Sequence, residues 1–165
     1  MMAVLTGPIR TGKTTALVRA FRRDGRGIVQ PVIDGRRHVM ELTSGRTHPL
    51  EAAPDTPVEH RVPVGRFVFD GKVFAWAGDC LGEAMQDAHP SAWIVLDEVG
   101  PLELAGQGLA PAVAALVAYA EAGSNVLLVV REGLVEAVAS SFHLRQPSIL
   151  RLGDTLPGGP RLGSP

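Results

Sequence analysis

The sequence predicts one α/β domain built on a mainly parallel sheet flanked by helices, with antiparallel hairpin strands added to it. Three observations predict this fold. Apolar runs of strand length alternate with helical patterns through the second half of the chain, the order that builds a parallel sheet with crossover helices. A glycine-containing loop joins the first apolar run to the first helical pattern. Turn dipeptides at Asp34-Gly35 and Asp70-Gly71 each stand between short strand-like runs, the mark of a hairpin. A length of 165 residues is that of a single domain with room for its own core.

Residues 2–6 form a short strand ending at Gly7, and Thr14 to Phe21 carries Leu17, Val18 and Phe21 at helical spacing. Gly27–Ile33 and His38–Leu42 read as strands around the Asp34-Gly35 turn, whereas 44–63, with prolines at 49, 54, 57 and 63, reads as irregular. Phe67–Phe69 and Val73–Trp76 read as a second hairpin around Asp70-Gly71. A helix is expected from Asp79, as N-cap, to about Ala88, closed off by Pro90. The apolar run 92–96 then reads as a strand that ends at Asp97-Glu98. Leu109 to Ala122 reads as a helix stopped by Gly123, Val126–Val130 as a buried strand, 132–141 as a further helix and 149–152 as a last strand. The domain is expected to span 1–155, with the Pro- and Gly-rich stretch 156–165 as a disordered tail.

Composition narrows the function classes. Hydrophobic residues make up 45% and charged residues 20%, which fits a globular chain and not a disordered one. A net charge of −1 offers no basic excess to neutralise a phosphate backbone, so general nucleic-acid binding is not expected. Cys80 is the one cysteine, which excludes an internal disulfide, and His48, His60, His89 and His143 lack metal-ligand spacing. No charged leader and no apolar stretch of membrane-spanning length is seen, and together with the lone cysteine this points to the cytoplasm, with no membrane partner.

Gly7-Pro8-Ile9-Arg10-Thr11-Gly12-Lys13-Thr14 matches G-x-x-x-x-G-K-[ST] in its required setting between a strand and a helix. Each part of that pattern answers a need of a triphosphate. Glycines let successive backbone N–H groups of the loop Gly7 to Thr15, Pro8 apart, turn inward as a nest, and the next helix presents its positive end to the same anion. Lys13 supplies a point charge for the β- and γ-phosphates, and Thr14 a hydroxyl for Mg²⁺. Arg10, within the loop, either touches phosphate or faces solvent. Such a loop needs a carboxylate at the end of a neighbouring buried strand to hold the magnesium through water, and Trp93-Ile-Val-Leu-Asp97 supplies it. Glu98 follows directly, placed to orient and deprotonate an attacking water. Arg131 follows the strand 126–130, where it aims at the γ-phosphate or begins a helix in solvent. Arg36, Arg37 and His38 read as a solvated hairpin face, and Trp76, Trp93 and Cys80 as core.

The loop together with Asp97-Glu98-Val-Gly-Pro-Leu-Glu103-Leu104 resembles the THEP1-type nucleoside-triphosphatases, small P-loop proteins also described as nucleotide kinase-like. The resemblance runs from Val4 to about Gly153 and implies a RecA-like core with a widened sheet, Mg²⁺ as cofactor and slow hydrolysis of several nucleoside triphosphates. It assigns site positions to Gly7, Gly12, Lys13, Thr14, Asp97, Glu98 and Glu103. The family's arginine- and glycine-containing stretch is only loosely echoed by Gly35-Arg36, and its threonine-valine-histidine-like strand end reads Val129-Val130-Arg131.

The expected activity is Mg²⁺-dependent hydrolysis of ATP, GTP or other nucleoside triphosphates, catalysed by Lys13, Glu98 and Arg131, with loose base specificity because no N-K-x-D segment is present. Two alternatives stay open: a nucleoside or nucleotide kinase, disfavoured because 132–147 holds only Arg145 where a water-excluding lid would carry several arginines, and a regulatory module timed by slow turnover. No protein partner is indicated by the sequence.

Overall fold

The computed structural model describes residues 1–21 and 24–163. β1 (Met2–Leu5) leads through the loop to α1 (Lys13–Ala20), and β2 (Arg26–Val29), β3 (Val32–Ile33), β4 (Arg36–Glu41) and β5 (Thr47–Pro49) follow. A 3₁₀ turn at Val58–His60 precedes β6 (Arg61–Val64), β7 (Phe67–Asp70) and α2 (Gly71–Asp87). β8 (Trp93–Val99), α3 (Pro101–Leu104), α4 (Ala110–Glu121), β9 (Asn125–Val130), α5 (Val135–Ser141) and β10 (Ser148–Leu150) complete the order.

The main sheet runs β10-β1-β9-β8-β2-β4-β3, with β5 also paired to β4. Strands β10, β1, β9, β8 and β2 are mutually parallel, and β3, β4 and β5 extend that core antiparallel, as the alternating runs and the Asp34-Gly35 turn predict. Asp34 and Gly35 both take positive φ (49° and 78°), the backbone twist a two-residue hairpin turn demands. Side chains alternate between two cores. Val4, Ile28, Ile94, Leu96, Val126 and Leu128 pack on the face covered by α2 and α4, while Leu5, Val29, Val95, Leu127 and Val129 pack on the face of α1. Gly27 has no room for a side chain: at φ 107° a Cβ would lie 2.0 Å from the Val95 carbonyl oxygen, so the glycine lets β2 close on β8.

Three expectations are corrected. Asp70-Gly71 is not a hairpin turn but the start of α2, because the Asp70 carboxylate accepts from the Lys72 backbone N–H at 2.9 Å as an N-cap. The helix therefore begins eight residues before Asp79, and its Val73, Phe74, Ala77, Cys80, Leu81 and Ala84 form one buried stripe. The hairpin in this region is β6–β7 instead, turning at Gly65-Arg66, so part of the proline-bearing stretch 44–63 is strand. Nor is 156–163 disordered: Leu156 and Leu162 are 1% and 0% exposed, packed in the α1-side core with Trp93, and a bridge from Thr155 to Arg161 closes the turn between them. Two leucines suffice to anchor so short a loop. Residues 164 and 165 lie outside the described residues. No described helix is long and apolar enough to cross a membrane.

Leu162→Ala is expected to cost about 2–4 kcal/mol of stability, the usual range for emptying a closed leucine site, measured by urea denaturation. A loss below about 0.5 kcal/mol, the scale of an exposed substitution, would return the segment to a dispensable tail.

Candidate functional site

The loop between β1 and α1 is shaped by positive φ at Gly7 (142°), Arg10 (62°) and Gly12 (87°). Successive turns of this kind point backbone N–H groups into one concavity. Lys13 bridges the loop, its ammonium donating to the carbonyls of Gly7 (2.9 Å) and Pro8 (2.6 Å), and the Thr11 hydroxyl donates to Pro8 at 3.0 Å. Pro8, Ile9, Arg10 and Thr15 are exposed at its rim. Ile9, Arg10, Thr11 and Thr15 line, with Lys13 and Thr14, a cavity of about 550 Å³. Asp97, Glu98, Arg37 and Arg131 line the same cavity from the far side.

Asp97 is 2% exposed, on the face of β8 that looks toward α1. Its Oδ2 accepts from the Thr14 hydroxyl at 2.6 Å and from the Gln30 backbone N–H at 3.2 Å, and the Gln30 side chain donates to the Asp97 carbonyl at 3.3 Å. Burial pushes the Asp97 carboxyl up to about 6, against the opposing pull of those hydrogen bonds; Glu98 raises it further and Lys13 lowers it. A buried carboxyl raised in this way is one whose charge lacks a full counterion. The donor set fits Mg²⁺: a hard hydroxyl and a hard carboxylate 2.6 Å apart, beside a loop built for phosphate. No cluster of three acidic, His or Cys ligands exists among the described residues, so an ion here would draw the rest of its shell from water and phosphate oxygens.

Glu98 owes its aim to one extra residue. Leu96 pairs with Leu128 and Val99 with Val130, so three steps along β8 match two along β9. The insertion flips the alternation, placing both Leu96 and Val99 in the same core, and Glu98 absorbs it at φ 68°. A non-glycine side chain in that conformation costs about 1–2 kcal/mol, a strain found mostly at functional positions. Glu98 Oε1 accepts from Arg131 Nε at 2.9 Å and Nη2 at 2.6 Å, and Arg37 Nη1 lies 3.6 Å away. Oε2 has no hydrogen bond among the described residues.

The structure thus brings Lys13, Thr14, Asp97, Glu98 and Arg131 onto one cavity. Glu103 it does not. That side chain is 6% exposed, accepting from the Gly100 N–H at 2.9 Å and the Leu109 N–H at 3.3 Å, and so ties the start of α3 to the start of α4. Burial raises its pKa, opposed by the backbone N–H groups of Gly100, Glu103 and Leu109. Arg131 neither stands free in solvent nor points alone at the cavity; it holds Glu98. Two participants escaped the sequence reading. Gln30 directly follows β2, which runs parallel beside β8, and a residue there must neighbour the carboxylate. Arg37 shares a strand face with buried Val39, two residues on, which is the signal that it is not a solvated hairpin residue.

The buried proton gives a pH signature. A carboxyl raised in the fold binds its proton more tightly there than in the unfolded chain, so stability falls as pH rises from its ordinary value near 4 through about 6. Roughly two pH units correspond to about 3 kcal/mol. Asp97→Asn, which removes the titration, is expected to gain on the parent in Tm between pH 4.5 and pH 8 when both are melted without nucleotide or metal. A Tm difference independent of pH would show that Asp97 is fully ionised in the fold.

A family model described as NTPase matches residues 2–151. The fold is shared with THEP1 from the hyperthermophile Aquifex aeolicus, at 20% identity and a TM-score of 0.70, covering 92% of this chain and 90% of that one. It is shared also with a human cancer-related nucleoside triphosphatase, at 24% identity and a TM-score of 0.66, covering 92% and 88%. Among curated proteins no sequence matches significantly. A match over nearly the whole chain, on a P-loop fold of the right topology, is decisive: the chain belongs to the NTPase family and is a nucleoside-triphosphate phosphatase.

Proposed function

We propose that the protein is a cytoplasmic enzyme that hydrolyses nucleoside triphosphates to the diphosphate and phosphate, with Mg²⁺ and with little regard for the base. The observation that carries this reading is the convergence on one cavity of the loop, the Thr14–Asp97 pair and the strained Glu98. The backbone N–H groups of residues 7 and 9–15 and the Lys13 ammonium bind the β- and γ-phosphates, with α1 presenting its positive end to them. Thr14 and Asp97 would hold Mg²⁺, which would supply positive charge against the phosphate oxygens.

Glu98 positions the nucleophile. Arg131 and Arg37 fix its Oε1, which leaves Oε2 to accept a proton from water. The water oxygen forms a bond to the γ-phosphorus, the bond from that phosphorus to the β,γ-bridging oxygen breaks with its electron pair passing to the diphosphate, and the water proton goes to Glu98. The opposite flank of the cavity is apolar, made by Val18, Pro31, Val32, Ile33 and Met40. Val32 and Ile33 are 67% and 40% exposed there, and apolar faces hold any base without reading its hydrogen-bonding edge. The single buried thiol, Cys80, suits a reducing compartment.

Glu98→Gln is expected to keep Mg²⁺-nucleotide binding while slowing single-turnover hydrolysis by about 10²–10⁴-fold, the span for a general base. Glu103→Gln, which acts on the α3–α4 junction, is expected to lower stability and to slow the chemical step by about tenfold or less. If Glu103→Gln proves the more damaging to chemistry, the roles are reversed. ATP, GTP, CTP and UTP are expected to be turned over within about one order of magnitude of one another, or ~1.4 kcal/mol. A thousandfold preference in a steady-state phosphate assay would refute the apolar base flank.

A further inference from the structure

The cluster of Glu98, Arg131 and Arg37 is a partition, not a floor. A second cavity of about 410 Å³ lies behind it and shares Gln30, Arg37, Glu98 and Arg131 with the first. The β6–β7 hairpin and α3 enclose it. Its apolar surface comes from Leu50, Phe67, Phe69, Phe74 and Leu102, of which Leu50, Phe69 and Phe74 are at most 7% exposed. Phe69 meets Phe74 edge-on, with ring centroids 6.1 Å apart, and stacks with Phe67 at 5.9 Å. Two guanidinium groups lie over Phe67: Arg66 at 4.9 Å and Arg37 at 5.5 Å from the ring centroid. An aromatic interior of 300–1,000 Å³ with a few convergent polar groups is the usual form of a small-molecule site.

We propose that this cavity binds a second ligand, a planar aromatic molecule carrying an anionic group, and that its occupancy sets the rate at the first site. The ring lies among the phenylalanines, where an apolar face is replaced by an apolar face. The anion meets Arg66 and Arg37, guanidinium groups already held in place by Phe67 and able to take a carboxylate, sulfonate or phosphate in a forked geometry. Arg37 is the group through which the two cavities communicate, because the same guanidinium lies 3.6 Å from Glu98 Oε1. An anion drawing Arg37 toward the second cavity loosens one of the two arginines that orient the glutamate. The binding claim stands whether or not Glu98 places a water; only the effect on rate rests on the proposed hydrolysis.

The dye 8-anilinonaphthalene-1-sulfonate, an aromatic plane with one fixed anion, is a suitable probe. It is titrated by fluorescence into the full chain saturated with Mg²⁺ and the non-hydrolysable adenosine 5′-(β,γ-imido)triphosphate. The expected result is one dye per chain, bound with the nucleotide still in place. Arg66→Glu, a reversal at an exposed rim position, is expected to weaken the dye about tenfold, and Val64→Trp, which fills the cavity beside Phe67, to abolish binding at unchanged Tm. Displacement of the dye by the nucleotide, or parental affinity in Arg66→Glu, would overturn the site. Phosphate release from ATP at saturating dye is expected to change by about threefold or more in the parent and to stay constant with dye in Val64→Trp, a loss of orientation being worth such factors. An unaltered parental rate with dye bound would leave a binding site and remove the coupling.

Discussion

A partly buried hydrogen bond between Thr14 and Asp97 joins the first helix of the chain to the central strand of the sheet, and the site is organised around it. Thr14 and Asp97 lie 83 residues apart in sequence and 2.6 Å apart in space. An ionised carboxylate at 2% exposure is costly to bury without partners, and the fold supplies only neutral ones, the Thr14 hydroxyl and the Gln30 N–H, within hydrogen-bonding distance. The carboxyl answers by raising its pKa to about 6. The under-compensated negative charge of Asp97 thus faces the glycine-containing loop across one cavity. Under the proposed function that juxtaposition would suit a metal–triphosphate pair.

A second constraint sets the chemistry beside that pair. The parallel strands β8 and β9 stay in register as far as Leu96 and Leu128, and one extra residue then enters β8. Regular alternation would have sent Glu98 into the α2-side core along with Leu96. The bulge instead turns its carboxylate into the partition between the two cavities, at the cost of a left-handed backbone, and two arginines, one on β4 and one just past the end of β9, meet it there. The arginines compensate the glutamate and fix one of its oxygens, so strain, charge and direction are resolved by the same three side chains. Gly100 immediately after the bulge lies beside the Arg131 guanidinium, a notional Cβ there falling 3.5 Å from Nε, an ordinary contact distance.

The Glu103 position shows how a motif residue can serve geometry. Its two oxygens accept backbone N–H groups at the starts of α3 and α4, where helix ends would otherwise leave donors unsatisfied in the interior. A glutamate in that place stabilises the path of the chain just beyond Glu98, and so acts on the site through the backbone. Arg131 shows the converse. Read along the chain it follows a buried strand and precedes a helix, and nothing local distinguishes a solvated residue from a clamp; the distinction came from β9 ending beside the bulge.

The sequence by itself determined the loop and the mainly parallel character of the sheet, and it singled out Lys13, Thr14, Asp97 and Glu98 as the proposed site, because each of these is written in a local pattern. Glycines at fixed offsets before a helix, five apolar residues before an acid and a Gly after an alanine-rich helix carry their meaning within a few positions. It misplaced what depends on competition between local options. Asp-Gly at 70–71 serves as well for a helix cap as for a turn, and the choice fell to the buried stripe from Val73 to Ala84, which only packing against the sheet makes favourable. The proline-rich end reads as disordered until Leu156 and Leu162 find the core around Trp93. Tertiary structure alone decided that Arg37 and Arg131 converge on Glu98, since an ion pair between strands depends on register, and the decisive register shift is a single residue with no mark in the sequence.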